Sequence, residues 1–222
     1  MKIKQLIKKI TPISVRYFYY SWVHNSYSQA GQDIWVYREL FRKKRRGYFV
    51  DLGSADGLSL NNTFLLEARY KWKGICIEAN PDYFSELVKI RKALCINVCI
   101  DEVKRNVLFK KDGLTSKIYL KDASFKDTQN LGNEYLELKS DTLVDVFKEN
   151  HVPKIIDYLS VDIEGAEYFA FKNFPFNEYR FNCITIERPN NELRDILKSA
   201  GYIIIKEIPN LDVYYIHKNF YR

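Results

Sequence analysis

Short apolar runs alternate with amphipathic stretches from Gly47 to the end of the chain. The apolar runs have the length and residue types of buried strands. The amphipathic stretches have the spacing of helices that cover a sheet, and Asn80-Pro81 supplies the N-cap and first-turn residues of one of them. The predicted strands span 48–52, 74–78, 94–100, 106–109, 155–161 and 183–186, and the predicted helices span 61–70, 81–92, 142–150, 165–173 and 191–199.

Two further apolar runs, 203–208 and 213–217, flank Pro209-Asn210 and predict a hairpin. The segment 113–132 is rich in Ser, Thr, Lys and Asp, and we expect it to be a loop. Strands that alternate with helices predict a Rossmann-like α/β fold. Its central sheet is mostly parallel, with a C-terminal antiparallel hairpin and with helices on both faces.

Basic residues are concentrated at the N-terminus. The chain has a net charge of +7, and five of its basic residues lie in residues 1–22, which contain no acid. Apolar residues opposite these lysines, followed by an aromatic cluster, are typical of a helix in a membrane interface, but a helix that caps its own domain or a dimer partner has the same pattern. We therefore separate an N-terminal segment, 1–27, from one domain, 28–222. The apolar residues are Ile3, Leu6, Ile7 and Ile10, and the aromatic ones are Tyr17, Phe18, Tyr19, Tyr20 and Trp22.

A second basic run, residues 42–46, favours binding to an anionic surface. Its position at a solvated helix end would explain the run equally well. No apolar stretch approaches the ~20 residues that cross a bilayer. The N-terminus also lacks the apolar core of a secretory signal. The four cysteines fall in predicted strands without metal-binding spacing, which predicts buried thiols in a cytoplasmic protein. If the N-terminal segment binds the membrane, we expect the protein to be peripheral at its inner face. They are Cys76, Cys95, Cys99 and Cys183.

A glycine-rich turn, Asp51-Leu52-Gly53-Ser54-Ala55-Asp56-Gly57, follows the first predicted strand. It lacks the middle glycine of a dinucleotide-binding loop, and no Lys-Ser/Thr follows it as in a P-loop. Glu78 ends the next strand, 21 residues beyond Gly57, where an acid commonly binds ribose hydroxyls. A ribose-binding acid beside a turn without phosphate-binding features favours S-adenosylmethionine over NAD. The alternative is that Glu78 caps the following helix.

Carboxylates are crowded at the ends of two later strands. Asp162, Glu164 and Glu167 follow the strand 155–161, and Glu187 ends the next one. The carboxyl ends of such strands form the ligand-binding edge of an open α/β sheet. Asp162 is therefore the candidate general base, with Glu187 as its partner, and Glu164 is less central. The same acids are also candidate ligands of a divalent cation, although no cluster is dense enough to assert a metal. Glu164 and Glu167 are also expected where a helix begins.

Taken in order, the motifs resemble the FkbM family of methyltransferases from about Ser28 onward. The resemblance implies a class I methyltransferase fold and O-methylation with S-adenosylmethionine. It implies that Asp51, Gly53 and Gly57 line the methionine part of the cofactor, that Glu78 binds its ribose, and that Asp162 lies near the transferred methyl group. Further expected cofactor-binding residues in these motifs are Gln32, Ser54, Asp56, Asn62 and Ala79. The motifs are Ser28-Gln29-Ala30-Gly31-Gln32-Asp33, the turn 51–57 with its strand, Asn61-Asn62-Thr63, 72–81, 160–167 and Ile186-Glu187.

The expected acceptor is a hydroxyl of a sugar in surface-glycan or secondary-metabolite biosynthesis. A nucleic-acid methyltransferase is less favoured, because Asn80-Pro81-Asp82-Tyr83 follows the second strand rather than the fourth and the chain beyond residue 22 is only mildly basic. A glycosyltransferase is also less favoured, because its nucleotide-diphosphate site typically uses a D-x-D motif and no such motif stands at a strand end of this chain. A non-catalytic Rossmann-like ligand-binding module at the membrane is the other alternative, since Ala55 departs from the glycine pattern.

Overall fold

A computed structural model describes residues 26–122 and 131–220. A seven-stranded sheet forms its centre, with the order β10-β11-β9-β8-β1-β2-β3. The five strands β9, β8, β1, β2 and β3 are parallel to one another. Strands β11 and β10 form a hairpin, in which β11 pairs antiparallel with β9. The strands are β1 (Tyr48–Leu52), β2 (Lys73–Glu78), β3 (Leu94–Asn97), β8 (Ile155–Val161), β9 (Arg180–Glu187), β10 (Tyr202–Glu207) and β11 (Asp212–His217).

Helices pack on both faces of this sheet, because successive residues of a strand point to opposite sides. Val50 and Leu52 of β1 belong to one buried cluster, with residues of α4, α5 and α6. Phe49 belongs to the other, with residues of the π-helical segment, α2 and α3. The predicted architecture is thus confirmed. The helices are α1 (Gln32–Ile34), which continues into the π-helical segment Trp35–Leu40, α2 (Phe64–Tyr70), α3 (Pro81–Ile90), α4 (Leu143–Glu149), α5 (Glu167–Phe171) and α6 (Asn191–Ser199).

A second sheet of four strands, in the order β4-β7-β5-β6, is inserted between β3 and β8. Its presence corrects two predictions. The run 94–100 is two strands in different sheets, and the expected loop 113–132 contains β6. The strands are β4 (Cys99–Ile100), β5 (Asn106–Lys110), β6 (Lys117–Lys121) and β7 (Tyr135–Asp141).

Helix α2 begins at Phe64, three residues later than predicted. The side-chain oxygen of Asn61 accepts hydrogen bonds from the backbone N–H groups of Thr63 and Phe64 at 3.0 and 2.8 Å. These bonds form a turn before the helix, whose N-cap residue is Thr63, so Asn61 lies outside α2. The N-cap predicted at Asn80 is confirmed, since its side chain accepts from the N–H of Asp82 at 3.0 Å.

Residues 42–46 precede β1, at the sheet edge opposite the carboxyl ends of the strands. All five are exposed, and Lys44 forms an ion pair with Asp157 at 2.7 Å, which is compatible with both interpretations of this basic run. Cys76, Cys99 and Cys183 are buried as predicted, whereas Cys95 is only partly buried because β3 is an edge strand. Within the described residues, no helix is both long and apolar enough to cross a membrane. The amphipathic pattern of residues 1–22 lies outside the described residues.

Candidate active site

A cleft of about 300 Å³ opens at the carboxyl ends of β1, β2, β8 and β9. Strand order reverses between β8 and β1, which is where ligands bind in open α/β sheets. The inserted sheet forms one wall, through Phe109 and residues 113–118. The predicted site residues among the lining are Gln32, Asp51, Gly53, Ser54, Asn62, Glu78, Ala79, Asp162, Glu164 and Glu187.

Gly53 begins the turn after β1 with φ +86°, a conformation that side chains disfavour. The N–H groups of Gly53 and Ser54 donate to the carbonyl oxygen of Ile77 at 3.0 and 3.1 Å, which ties the turn to β2. Ala55, where the middle glycine was missing, has φ +47°, so the turn keeps a left-handed residue there without glycine.

Glu78 is buried and holds this turn in place. One carboxylate oxygen accepts from the N–H of Ala55 at 2.8 Å, and the other accepts from the N–H of Asn80 at 2.7 Å. Burial raises the pKa of Glu78, and the two backbone donors oppose that rise. The side chain that caps α3 is that of Asn80 rather than that of Glu78. The alternative interpretation of Glu78 as the cap of this helix is therefore wrong. The predicted contact of Glu78 with ribose stays a prediction.

Asp51 belongs to a buried polar network beneath the turn. Its Oδ2 accepts from Asn61 and from Thr63, both at 2.8 Å, and lies 3.6 Å from a guanidinium nitrogen of Arg91. The same guanidinium also pairs with Glu67 and donates to Thr63. The sequence analysis missed Arg91, because a basic residue at the end of an amphipathic helix carries no signal that it is buried.

Two predicted residues do not line the cleft. The carboxylate of Asp56 accepts from the N–H groups of Leu58 and Ser59 at 2.9 and 2.7 Å, and so shapes the turn. Gly57 faces Leu87 and Arg91, which leave no room for a β-carbon. Direct contact of either residue with a cofactor stays a prediction that the cleft lining does not support.

The carboxyl oxygens of Asp162, Glu164 and Glu187 lie within 4.8 Å of one another. Asp162 is surrounded by protein on most sides, yet solvent in the open cleft reaches it. Burial among these groups and the negative charge of Glu187 raise the pKa of Asp162 well above its usual range.

Arg188 supplies the compensating charge. Its guanidinium lies 2.7 Å from Glu187 and 3.2 Å from Glu164. Glu167, by contrast, accepts from the N–H groups of Ile163 and Gly165 and so stabilises the turn before α5, as expected of an acid at a helix start.

Asp212 is a further carboxylate of the cleft, and no motif in the sequence predicted it. It begins β11 directly beside Glu187 of β9, and Gln32 donates a hydrogen bond to its Oδ2. Burial raises the pKa of Asp212 to about 6, although the hydrogen bond from Gln32 opposes the rise. Gln32 therefore contributes to the cleft by orienting an acid 180 residues away.

A family model described as the methyltransferase FkbM domain matches residues 51–204 of the chain. The chain belongs to the FkbM methyltransferase family. The resemblance seen in the sequence is confirmed, and with it an S-adenosylmethionine-dependent methyltransferase on a Rossmann-like class I methyltransferase fold. The glycosyltransferase and non-catalytic alternatives are wrong.

Solved structures resemble this FkbM methyltransferase distantly. The methyltransferase FkbM from Methylobacillus flagellatus KT is 13% identical with a TM-score of 0.48, and the match covers 77% of this chain and 43% of that one. The methyltransferase domain of METTL16 is 13% identical with a TM-score of 0.48, over 96% of this chain and 70% of that one. Precorrin-6y C5,15-methyltransferase from Geobacter metallireducens GS-15 is 9% identical with a TM-score of 0.44, over 84% and 86%. No curated protein matches the chain.

Two features of this methyltransferase fit a polar cofactor in the cleft. The side-chain oxygen of Asn62 is buried without a hydrogen-bond partner, while its nitrogen donates to Ser160 at 2.9 Å. Unsatisfied buried acceptors are uncommon, and because this one lines the cleft it is available to a donor group of a ligand. Strained backbone also collects at the cleft, since Ala55, Leu60, Glu164 and Arg188 all line it with positive φ.

A divalent cation fits the same residues less well. Carboxylate oxygens suit magnesium, but the guanidinium of Arg188 already bonds two of the three acids that could hold the ion. The acids are therefore neutralised in part without a metal.

Proposed function

We propose that this FkbM methyltransferase transfers a methyl group to a hydroxyl of a sugar, in surface-glycan or secondary-metabolite biosynthesis. The observation that carries the proposal is the close approach of the carboxyl groups of Asp162 and Glu187 in the cleft where the glycine turn lies. A sugar hydroxyl is too weak an acid to ionise unaided at neutral pH, so its methylation needs a group that accepts the proton.

S-adenosylmethionine supplies an electrophilic methyl group when it is bound. The Gly53 turn, Glu78 and Asn62 would hold it, because they place an acid at the end of β2 and an unsatisfied acceptor beside the turn in one cleft. Asp162 is joined to this turn through its backbone, since its N–H donates to the carbonyl of Leu52 at 2.9 Å.

The carboxyl pair performs the proton transfer. Asp162 is the proposed proton acceptor: its raised pKa makes its ionised form a stronger base than an ordinary carboxylate, and this form would accept a hydrogen bond from the acceptor hydroxyl. The transfer would form a bond between the hydroxyl oxygen and the methyl carbon while the methyl–sulfur bond breaks and the neutral thioether leaves, and the hydroxyl proton would move to that carboxylate. Arg188 limits the cost of the charge by its contacts to Glu187 and Glu164. No metal is required, so we expect activity to survive EDTA.

A nucleic-acid acceptor is the second candidate, and the cleft disfavours it. Asp162, Glu164, Glu187 and Asp212 together make the cleft negative, which repels a phosphate backbone.

Membrane association remains a separate proposal, supported by the basic and apolar faces of residues 1–22. Deletion of these residues should release the protein from anionic vesicles at low salt while cofactor binding is unchanged. Failure of the full chain to sediment with such vesicles would refute it.

Mass spectrometry of glycans tests the proposed acceptor class. Surface polysaccharide from cells with the gene should carry one methyl group more, on a sugar oxygen, than polysaccharide from cells without it. Complementation with Asp162→Asn should leave the methyl group absent. Identical glycans in all three strains would exclude a surface glycan as the acceptor.

A further inference from the structure

Two lysines lie directly opposite each other on neighbouring strands of the inserted sheet. Lys110 of β5 and Lys117 of β6 are register partners, and Tyr135 of β7 is the partner of Lys110 on its other side. Like charges in this arrangement destabilise a sheet unless something negative compensates them. Asp112 offers only a distant contact, 4.0 Å from the ammonium of Lys110, and is itself exposed.

Exposed aromatic rings lie beside the lysines. The ring of Tyr119 packs edge-on against Tyr135, with centroids 5.1 Å apart, and Tyr119 is 59% exposed. The ammonium of Lys110 lies 6.0 Å from the ring of Tyr135. We call this surface, formed by Lys110, Lys117, Tyr119 and Tyr135, the basic-aromatic ledge. Rings of this kind present flat apolar faces with a polar tip, the combination that packs against the apolar face of a sugar.

The ledge is continuous with the cleft. Lys117 lines the cleft, and its charge acts on Glu164, lowering the pKa of that acid against the stronger effect of burial. The loop between β5 and β6 is fixed to the start of α3, where Asn80 donates to Ser116 at 3.2 Å and Lys111 pairs with Asp82 at 2.9 Å. A molecule in the cleft that extends past Lys117 therefore reaches the ledge.

Charge changes sign along this path. Six carboxylates line the cleft, whereas the ledge is formed by two lysines and two tyrosines. We propose that the ledge binds an acidic sugar unit of an oligosaccharide acceptor, with its carboxylate or phosphate on Lys110 and Lys117 and its ring on Tyr119. This rests on the proposed function, and it adds that the acceptor is an anionic oligosaccharide that carries its charge away from the methylated hydroxyl.

Single-stranded nucleic acid also combines negative charge with flat rings, and aromatic residues on sheets bind it. It fits this path less well, because its charge recurs at every nucleotide. A strand that continued from the ledge would bring a phosphate to the acidic cleft, whereas an oligosaccharide brings hydroxyl groups there.

Calorimetry without cofactor tests the ledge independently of catalysis. The probes are tetragalacturonate for a carboxylate, phosphomannopentaose for a phosphate, neutral maltotetraose, and an oligothymidylate of similar length. We expect one of the two acidic oligosaccharides to bind more tightly than maltotetraose, and the tighter of them identifies the source of the charge. Lys110→Ala combined with Lys117→Ala should weaken that binding about tenfold or more, because charge-assisted hydrogen bonds are lost.

Lys139→Ala is the matched control, since Lys139 is an exposed lysine on the same sheet, paired with Asn106, and neither residue lines the cleft. It should bind like the unchanged protein, and all variants should unfold at the same temperature. Equal affinity for acidic and neutral probes, no loss in the double variant, or tighter binding of oligothymidylate would each overturn the proposal. Absence of methylated glycan in cells would instead count against the proposed function and leave these affinities unaffected.

Discussion

The carbonyl oxygen of Asp162 lies 1.7 Å from the point that a β-carbon on Gly53 would occupy. The end of β8 and the glycine turn are thus in backbone contact. This contact explains why the residue proposed as the proton acceptor and the turn proposed to hold the methyl donor share one edge of the cleft. Any side chain at position 53 must push the two apart.

Gly53→Ala should therefore abolish cofactor binding and lower stability by more than ~1 kcal/mol, the usual cost of a left-handed alanine. Gly31→Ala is the matched control, because Gly31 has a similar φ of +81° but no atom within 4 Å of its added β-carbon. Calorimetry with S-adenosylhomocysteine and thermal unfolding of both variants measure the difference. Equal behaviour of the two variants would show that backbone strain alone matters at position 53.

Glu78→Ala should weaken S-adenosylhomocysteine binding by about 1–3 kcal/mol, because two hydrogen bonds to ribose and the anchor of Ala55 are lost together. Glu86→Ala removes an exposed acid from the same region and should change nothing. Unchanged affinity in a folded Glu78→Ala protein would refute the ribose assignment.

Arg91→Met should lower the free energy of unfolding by about 3–5 kcal/mol, since it leaves Glu67 and Asp51 buried without their positive partner. Chemical denaturation measures the loss. Lys89→Ala, two residues away and exposed, serves as the control. If the free energy of unfolding falls no more in Arg91→Met than in Lys89→Ala, the polar network around Asp51 does not support the turn.

Asp212→Asn should make the protein more stable above about pH 6. The pKa of Asp212 is raised from 3.8 to about 6 in the folded protein, so the folded state binds the proton more tightly than the unfolded one. Its contribution to stability is complete below the unfolded pKa and is lost as the pH rises through about 6, a change of at most about 3 kcal/mol. Melting temperatures of the two proteins should converge near pH 4 and diverge near pH 8. A constant difference at all pH values would contradict the raised pKa.

The central sheet was predictable because its strands are buried on both faces and appear as continuous apolar runs. Strand β6, Lys-Ile-Tyr-Leu-Lys, was not, because an exposed edge strand with charged ends resembles the polar loops around it. The glycine turn, Glu78 and the Asp162–Glu187 pair were predictable from their positions at strand ends. The pairs Gln32–Asp212 and Arg91–Asp51 join residues far apart in the chain, and no local pattern records such contacts.

The most direct test of the carboxyl-pair mechanism is single-turnover methyl transfer from isotopically labelled S-adenosylmethionine to glycan from cells lacking the gene. The unchanged protein should place the label on a sugar oxygen, with or without EDTA. Asp162→Asn keeps the shape of the side chain but cannot accept the proton, so it should reduce the rate by ~10²-fold or more. Asp195→Asn, an exposed acid on α6, should react like the unchanged protein. An unchanged rate in Asp162→Asn, or label on nitrogen, would contradict the account.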